Sequence, residues 1–264
     1  MNIFRFELRS LLKSTLVWTI SLTGVCALMM GIFPAYQESA DVIRSLLKGF
    51  PPGVLKAMGI NLDTLFGVTG FYSFLLLYVS LVGGVQAAGL GIGVLSRESR
   101  EKNSDFLLTK PVRRGAVVTS KLGAALTSLV ITNILYIIVS VGICIAVADH
   151  PPHIPTLILL SLTLFFVQLC FLCIGAAVSV FFKIKSVNAT ALILVVIFFA
   201  ISFCDSFIGK EALKYLTPFK YFNTTEIALR RSYDALSFLT VLVVCAVCII
   251  TVYVRSIRRD IPAV

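Results

Sequence analysis

The stretch PTLILLSLTLFFVQLCFLCIGAAVSVFF, from Pro155 to Phe182, contains no Asp, Glu, Lys or Arg. A helix rises about 1.5 Å per residue, so about 20 apolar residues cross the hydrocarbon layer of a bilayer. This stretch and five others meet that requirement, and together they predict an all-α membrane protein in which residues 1–264 form a single domain. The predicted spans are Ser14–Phe33, Phe71–Leu95, Leu122–Ala148, Pro155–Phe182, Val187–Phe207 and Leu236–Val254.

The basic residues are distributed unevenly between the two sides of the predicted bundle. The side that holds both termini has fifteen Lys and Arg, and the other side has eight. Because short cytoplasmic loops retain Lys and Arg, both termini are predicted to face the cytosol. The net charge of +10 would indicate nucleic acid binding in a soluble protein, but here it follows from the loops. No nucleic acid partner is expected.

Residues 1–13, MNIFRFELRSLLK, have the pattern of an amphipathic helix. Arg5, Arg9 and Lys13 recur at four-residue steps, and apolar side chains occupy another face. Such a segment is predicted to form a separate helix in the membrane interface, with its cations toward the lipid head groups. The alternative is that the segment extends the first span.

Side chains that usually bind metals are poorly placed for that role. Two cysteine pairs have CxxC spacing, Cys170/Cys173 and Cys245/Cys248, but all seven cysteines lie within predicted spans. They are interpreted as small apolar fillers. On the predicted outer side, Asp149, His150 and His153 flank two prolines and form an incomplete ligand set, so no metal is expected.

The second span contains GGVQAAGLGIG, Gly83–Gly93. A nucleotide-binding glycine loop would follow a strand and precede Lys-Ser or Lys-Thr, and neither is present. Small residues at four-residue steps instead favour close helix packing in lipid. Three spans carry an uncharged polar residue that is a candidate for lining a transport pathway: Gln86, Asn133 and Gln168. The alternative is that each hydrogen-bonds a neighbouring helix.

The loop Ser96–Lys121 is the longest on the predicted cytoplasmic side. Opposite charges four residues apart, Arg97/Glu101 and Glu98/Lys102, predict that the second helix continues beyond the membrane. A short turn then follows and exposes the apolar triplet Phe106–Leu108. These side chains need a surface that buries them, which is either a partner protein or the surface of the bilayer.

The outer segment Ile208–Asp234 is too apolar for a free loop, and Pro218 divides it in two. Its aromatic residues suit the level of the lipid head groups. The segment is therefore predicted to form two short re-entrant helices, which dip into the outer leaflet and return.

Motifs of enzymes are absent from the sequence. It contains no Walker A sequence, no HExxH and no GxSxG. Both histidines lie in one loop, so a Ser–His or Cys–His site within the membrane is not available. Asp205 is close to the outer end of its span and is interpreted as a hydrated carboxylate rather than a proton relay. The chain is not expected to be an enzyme.

The chain resembles an ABC-2 type transporter permease, the membrane subunit of an ATP-binding cassette exporter. The resemblance lies in the amphipathic N-terminal segment, in EKNSDFLLTKPVRRGAVVTSKL at Glu101–Leu122, and in LTPFKYF at Leu216–Phe222. FPPGVLKAMG at Phe50–Gly59 is similar to a weaker feature of the family. The topology of six spans extends the resemblance over nearly the whole chain.

This resemblance implies an elbow helix at the N terminus, a cytoplasmic coupling helix between spans two and three, and a location in the bacterial cytoplasmic membrane. Two permease subunits, identical or paralogous, would enclose the pathway in contact with membrane lipid. ATP and Mg²⁺ would be bound by a separate ATP-binding cassette subunit, with no cofactor in this chain. The residues implied to contact that subunit are Glu98, Glu101, Asp105, Phe106, Leu107, Leu108, Pro111, Arg113 and Arg114.

Apolar spans with few charges favour export of an amphipathic or hydrophobic substrate, such as a peptide toxin, an antimicrobial peptide or a drug. Two other classes of function remain open from the sequence. One is a carrier driven by an ion gradient, which would need intramembrane carboxylates or broken helices at the midplane. The other is a membrane anchor or sensor that does not transport.

Overall fold

A computed structural model describes residues 3–101, 114–208 and 215–258, which contain helices and no strand. Six of these helices are long and apolar enough to cross a membrane, so the predicted six-span architecture is confirmed. They are α1 (Ile3–Glu38), α4 (Val68–Glu101), α5 (Arg114–Val147), α6 (Ile154–Phe181), α7 (Val187–Ile208) and α9 (Ala235–Arg258). The connections contain α2 (Ala40–Leu47), α3 (Pro52–Ala57), a 3-10 turn (Pro218–Lys220) and α8 (Thr224–Arg230).

Helices α4 and α6 form the centre of the bundle. In their most apolar windows, 67% and 61% of residues are buried, against 17–28% in the other four spanning helices. Helix α1 packs along α5, α7 packs on α4, and α9 packs on α6. The outer helices therefore keep broad apolar faces, as expected where lipid rather than water surrounds a bundle.

The seam between α4 and α6, which we call the glycine seam, depends on residues without side chains. A Cβ atom on Gly91 would lie 2.2 Å from the carbonyl oxygen of Leu172. A Cβ atom on Gly175 would lie 2.6 Å from the carbonyl oxygen of Ala88. Both distances are shorter than van der Waals contact, so only glycine allows this approach. The prediction that Gly83–Gly93 serves helix packing is confirmed.

The N-terminal segment differs from expectation, because it is not a separate helix. Helix α1 runs without a break from Ile3 through the first span to Glu38. The cations Arg5, Arg9 and Lys13 are exposed, as the amphipathic pattern predicts. Glu7, however, is buried against other helices of the bundle, and this contact holds the first turns in line with the rest of α1. The structure corresponds to the alternative in which the segment extends the first span.

The described part of the connection between α7 and α9 folds back into the bundle. The ring of Phe219 lies 5.1 Å from that of Phe171 and 6.0 Å from that of Phe199, and both partners are near the middle of their helices. The Thr217 hydroxyl donates to the carbonyl oxygen of Phe198 at 3.0 Å. The 3-10 turn therefore lies beside the middle of α6 and α7.

Candidate functional site

The three candidate pathway residues from the sequence meet in the centre of the bundle. Asn133 Nδ2 donates to Gln168 Oε1 at 2.6 Å, and Gln168 Nε2 donates to Gln86 Oε1 at 3.1 Å. All three side chains are at most 3% exposed. These hydrogen bonds link α4, α5 and α6 and offset part of the cost of removing the amides from water; among the described residues, Asn133 Oδ1 has no hydrogen-bond partner.

The network continues toward α1 through hydroxyl groups. Gln86 Nε2 donates to Thr132 Oγ1 at 3.1 Å, and Thr19 Oγ1 donates to the same oxygen at 3.2 Å. One turn nearer the start of α1, Thr15 and Ser128 are hydrogen-bonded at 2.6 Å. Asn133 and Gln168 thus each hydrogen-bond a neighbouring helix; that they line a transport pathway stays a prediction.

Gln86 differs from the other two amides because it also lines a groove. The groove has a volume of about 690 Å³ and lies between α1, α4 and α7. Its deeper walls include Trp18 of α1, Gly89 of α4 and Ala191 of α7. Its mouth includes Arg97 and Lys185. We call the end of the bundle at which α1 begins and α4 ends the basic end, and the mouth lies there.

A buried charge cluster lies beside the mouth of the groove. The Glu7 carboxylate is 3.8 Å from Lys121 Nζ and 3.9 Å from Arg97 Nη1. Lys121 is only 3% exposed and also donates to the carbonyl oxygen of Val94 at 3.1 Å. Arg97 donates to Ser10 Oγ at 3.0 Å. The cluster joins the basic ends of α1, α4 and α5.

Glu7 was not among the site residues expected from the sequence, although a signal was present. Glu7 comes three residues after Phe4 and four before Leu11, which places it on the apolar side of the N-terminal segment. An acidic residue on that side needs a cation to be buried with it. Lys121, at the start of the third predicted span, is one such cation.

Most residues predicted to contact an ATPase lie outside the described residues. This applies to Asp105, Phe106, Leu107, Leu108, Pro111 and Arg113. Glu98 and Glu101 belong to the last turns of α4, and Arg114 begins α5. The second helix continues as predicted beyond Leu95, because α4 extends to Glu101; that this extension lies outside the membrane stays a prediction.

The far end of the bundle has a smaller cavity of about 450 Å³, lined in part by Asp149 and His150. The second histidine of this loop, His153, is instead hydrogen-bonded through Nδ1 to Thr156 Oγ1 at 2.8 Å. Within residues 3–101, 114–208 and 215–258, no three His, Cys, Asp or Glu side chains are grouped so as to hold a metal ion.

Two polar residues near the far end have partners that the sequence did not reveal. Asp205 lies 3.9 Å from Lys220 Nζ, which connects the end of α7 to the 3-10 turn. The Tyr233 hydroxyl donates to the carbonyl oxygen of Leu159. Burial raises the pKa of Tyr233 to about 12, so the hydroxyl keeps its proton at neutral pH.

The two CxxC pairs come together between α6 and α9. Cys170 and Cys173 of α6 and Cys245 of α9 are all buried. All three belong to the main apolar core, and Cys248 packs against it. The cysteines are reduced and packed among apolar side chains, which agrees with their interpretation as fillers.

A family model described as ABC-2 family transporter protein matches residues 1–261, nearly the full chain. No curated protein sequence matches the chain.

Proposed function

The chain belongs to the ABC-2 transporter family, and we propose that it is the permease subunit of an exporter driven by ATP hydrolysis on a separate chain. The family is a membrane transport component rather than a catalytic one. The observation that carries the proposal is the match over residues 1–261, which includes both the groove and the loop beside it. ATP and Mg²⁺ would be held by the partner subunit.

The basic end of the bundle suits the transmission of movement from that partner. Helices α4 and α5 flank residues 102–113, which contain the proposed coupling segment. Lys121 of α5 binds the Val94 carbonyl oxygen of α4, and Thr132 binds Gln86 farther along the same pair. A push on the loop would therefore move α4 and α5 together. Since α4 forms one wall of the groove, this movement would change the shape of the groove.

The remaining architecture of the proposed exporter follows the family resemblance. Two permease subunits, identical or paralogous, would face each other across the pathway. Both termini would lie in the cytosol of a bacterial cell, with the basic end at the cytoplasmic surface. The start of α1 would lie in the membrane interface, as an elbow does, while remaining part of a continuous helix. The 3-10 turn and α8 would form a re-entrant segment that enters from the outer side, with the turn beside the middle of α6 and α7.

The proposed substrate is amphipathic or hydrophobic, such as a peptide toxin, an antimicrobial peptide or a drug. The groove supports this choice because its walls include the buried apolar and small side chains of Leu90 and Ala191. Gln86 and Asn188 contribute amides to the lining. Pockets of this size and composition bind drug-sized molecules with a few oriented polar contacts.

The proposal is tested by reconstituting the full chain with the ATPase encoded by the neighbouring reading frame. Phe106→Asp is expected to lower ATP-driven transport by about thirtyfold, as the loss of an apolar anchor at an interface does. Phe106→Leu is the matched control and should preserve transport, because it keeps the contact apolar. Transport by the permease without any bound ATPase, together with full activity of Phe106→Asp, would overturn the proposal. Transport that survives ATP depletion but stops when the proton gradient collapses would instead identify an ion-driven carrier.

A further inference from the structure

Helix α2, at the far end of the bundle and opposite the basic end, has three distinct faces. Leu47 packs against the main apolar core, and Ile43, one turn before it, is half-buried. Val42 and Leu46 lie on the adjoining face, one turn apart, and are 65% and 66% exposed. The third face is polar and exposed, and it carries Asp41, Arg44, Ser45 and Lys48. One apolar face of α2 therefore remains open beside the face that contacts the bundle.

The open apolar face extends beyond the end of α2. Phe50 follows Leu46 after another four residues and is 50% exposed. We call Val42, Leu46 and Phe50 the apolar stripe. A single exposed apolar residue is common on any protein, but three large ones at four-residue steps indicate a contact surface.

The position of α2 in the chain places it at a membrane surface. Helix α1 is continuous to Glu38, and residues 14–37 include no Asp, Glu, Lys or Arg. These 24 residues extend over roughly 36 Å as a helix, slightly more than the roughly 30 Å of the hydrocarbon layer. Glu38 is therefore expected at the level of the lipid head groups. Helix α2 begins at Ala40, directly after it.

We propose that α2 is a membrane-surface anchor whose apolar stripe inserts among the lipid acyl chains, close to the head groups at the far end of the bundle. A helix at this level needs an apolar face toward the acyl chains and a polar face toward water, and α2 has both. The stripe also continues a lipid-facing surface, because Leu28 and Ile32 on the outer part of α1 are exposed. Arg44 and Lys48 on the polar face can contact head-group phosphates.

A second permease subunit is a less suitable occupant of the stripe. A stable interface between proteins buries roughly 800 Å² on each partner, and three partly exposed side chains offer much less. Lipid needs no such minimum, because it surrounds every exposed apolar side chain at this depth. The bilayer is therefore the occupant that fits the size of the stripe.

Aromatic contacts would transmit the position of the anchor to the bundle. The Arg44 guanidinium carbon lies 4.9 Å from the centre of the Phe66 ring. Phe66 stacks on Tyr36 of α1 at 5.5 Å, and the Tyr36 ring lies 5.2 Å from that of Phe71 of α4. A fixed depth of α2 would thus hold the far ends of α1 and α4 at a fixed depth. This inference requires only the membrane-spanning fold and does not depend on ATP-driven export.

Tryptophan fluorescence measures the depth of the stripe directly. Trp18 is the only tryptophan of the chain, so Trp18→Phe provides a background without a signal of its own. The full chain with Trp18→Phe and Leu46→Trp would be placed in phosphatidylcholine nanodiscs. Their acyl chains would carry bromine, a short-range quencher, either near the head group or near the chain end. Quenching is expected to be strongest with bromine near the head group, which corresponds to a depth of about 5–10 Å. Iodide in the water should quench weakly.

Ser45→Trp in the same background is the matched control. Ser45 is exposed on the polar face, next to Leu46 in the chain, and its hydroxyl donates only to the Asp41 carbonyl oxygen of the same helix. The tryptophan at this position should be quenched strongly by iodide and weakly by either brominated lipid. Val42→Trp is a second reporter, one turn away on the stripe, and should behave as Leu46→Trp does. It decides the test if Leu46→Trp does not fold.

Three results would overturn the proposal. Equal quenching of Leu46→Trp and Ser45→Trp by iodide would show that the stripe lies in water. Protection of Leu46→Trp from both bromine and iodide would show that protein covers it. Stronger quenching by bromine near the chain end would place α2 too deep for a surface anchor. The measurement contains neither ATP nor an ATPase, so a failure of the proposed export function would leave its result unchanged.

Discussion

Helix α4 carries one glycine-rich stretch, yet its two sides differ in how closely the neighbouring helix approaches. Toward α6, in the glycine seam, a Cβ atom on Gly91 would overlap the Leu172 backbone at 2.2 Å. Toward α7, a Cβ atom on Gly89 would make an ordinary contact at 3.9 Å with Ala191. Small residues therefore allow close packing on one side of α4 and leave an open groove on the other. Whether a small residue of α4 gives close packing or leaves open space therefore depends on the helix that lies beside it.

The polar residues on the two sides of α4 differ in how far they are exposed to solvent. Beside the seam, Gln168 of α6 binds Asn133 of α5, and both have little access to solvent. At the groove, Arg97 and Lys185 line the mouth; Lys185 is exposed, and Arg97 lies 3.9 Å from the Glu7 carboxylate. Gln86 belongs to both, because it hydrogen-bonds Gln168 and also lines the groove. This position makes it the direct structural connection between the rigid centre and the candidate site.

The largest expected effect comes from adding one methyl group to each side of α4. Gly91→Ala should lower the free energy of unfolding by about 3 kcal/mol, at the upper end for overpacking, because the added carbon meets backbone atoms that cannot rotate away. Gly89→Ala should change it by less than about 0.5 kcal/mol. Thermal unfolding of the purified proteins in detergent measures both. Equal stability of the two variants would mean that the seam is no tighter than the groove.

The charge cluster beside the groove gives the next largest effect. Glu7→Gln removes the carboxylate from beside Lys121 and Arg97, and should destabilise the protein by about 2 kcal/mol. The value is below that for fully enclosed ion pairs, because the cluster lies at the end of the bundle. Glu38→Gln is the control, since Glu38 is an exposed residue of the same helix. A double-mutant cycle that includes Lys121→Met alone measures the coupling, and a coupling energy of zero would mean that Glu7 and Lys121 do not interact.

The smallest of the three effects concerns the hydrogen bonds at the seam. Gln168→Leu keeps the size of the side chain but removes the acceptor of Asn133 and a donor to Gln86. It should cost about 1–2 kcal/mol, because buried amides lose partners that lipid cannot replace. The control is Ser21→Ala, since the exposed Ser21 hydroxyl bonds Val17 within its own helix. An unaltered unfolding temperature for Gln168→Leu would show that packing alone holds α4 and α6 together.

Several features of the fold could be predicted because they depend on short segments. The spans follow from length and apolar composition, and the extension of α4 to Glu101 follows from charge pairs one turn apart. The small residues of Gly83–Gly93 identified a packing helix, but not which glycine would meet which partner. The N-terminal segment was misjudged as a separate helix, because its amphipathic pattern does not show that Glu7 is buried beside Lys121.

The sequence by itself determined the six helical spans, for a local physical reason. In lipid, each backbone N–H and C=O needs a partner, and a helix provides it within the same segment. Only the tertiary structure decided that Gln86, Asn133 and Gln168 meet, that the α4–α6 side closes, and that the α1–α4–α7 side stays open. Those outcomes depend on which helices become neighbours, and residues as far apart in the chain as Glu7 and Lys121 take part in them.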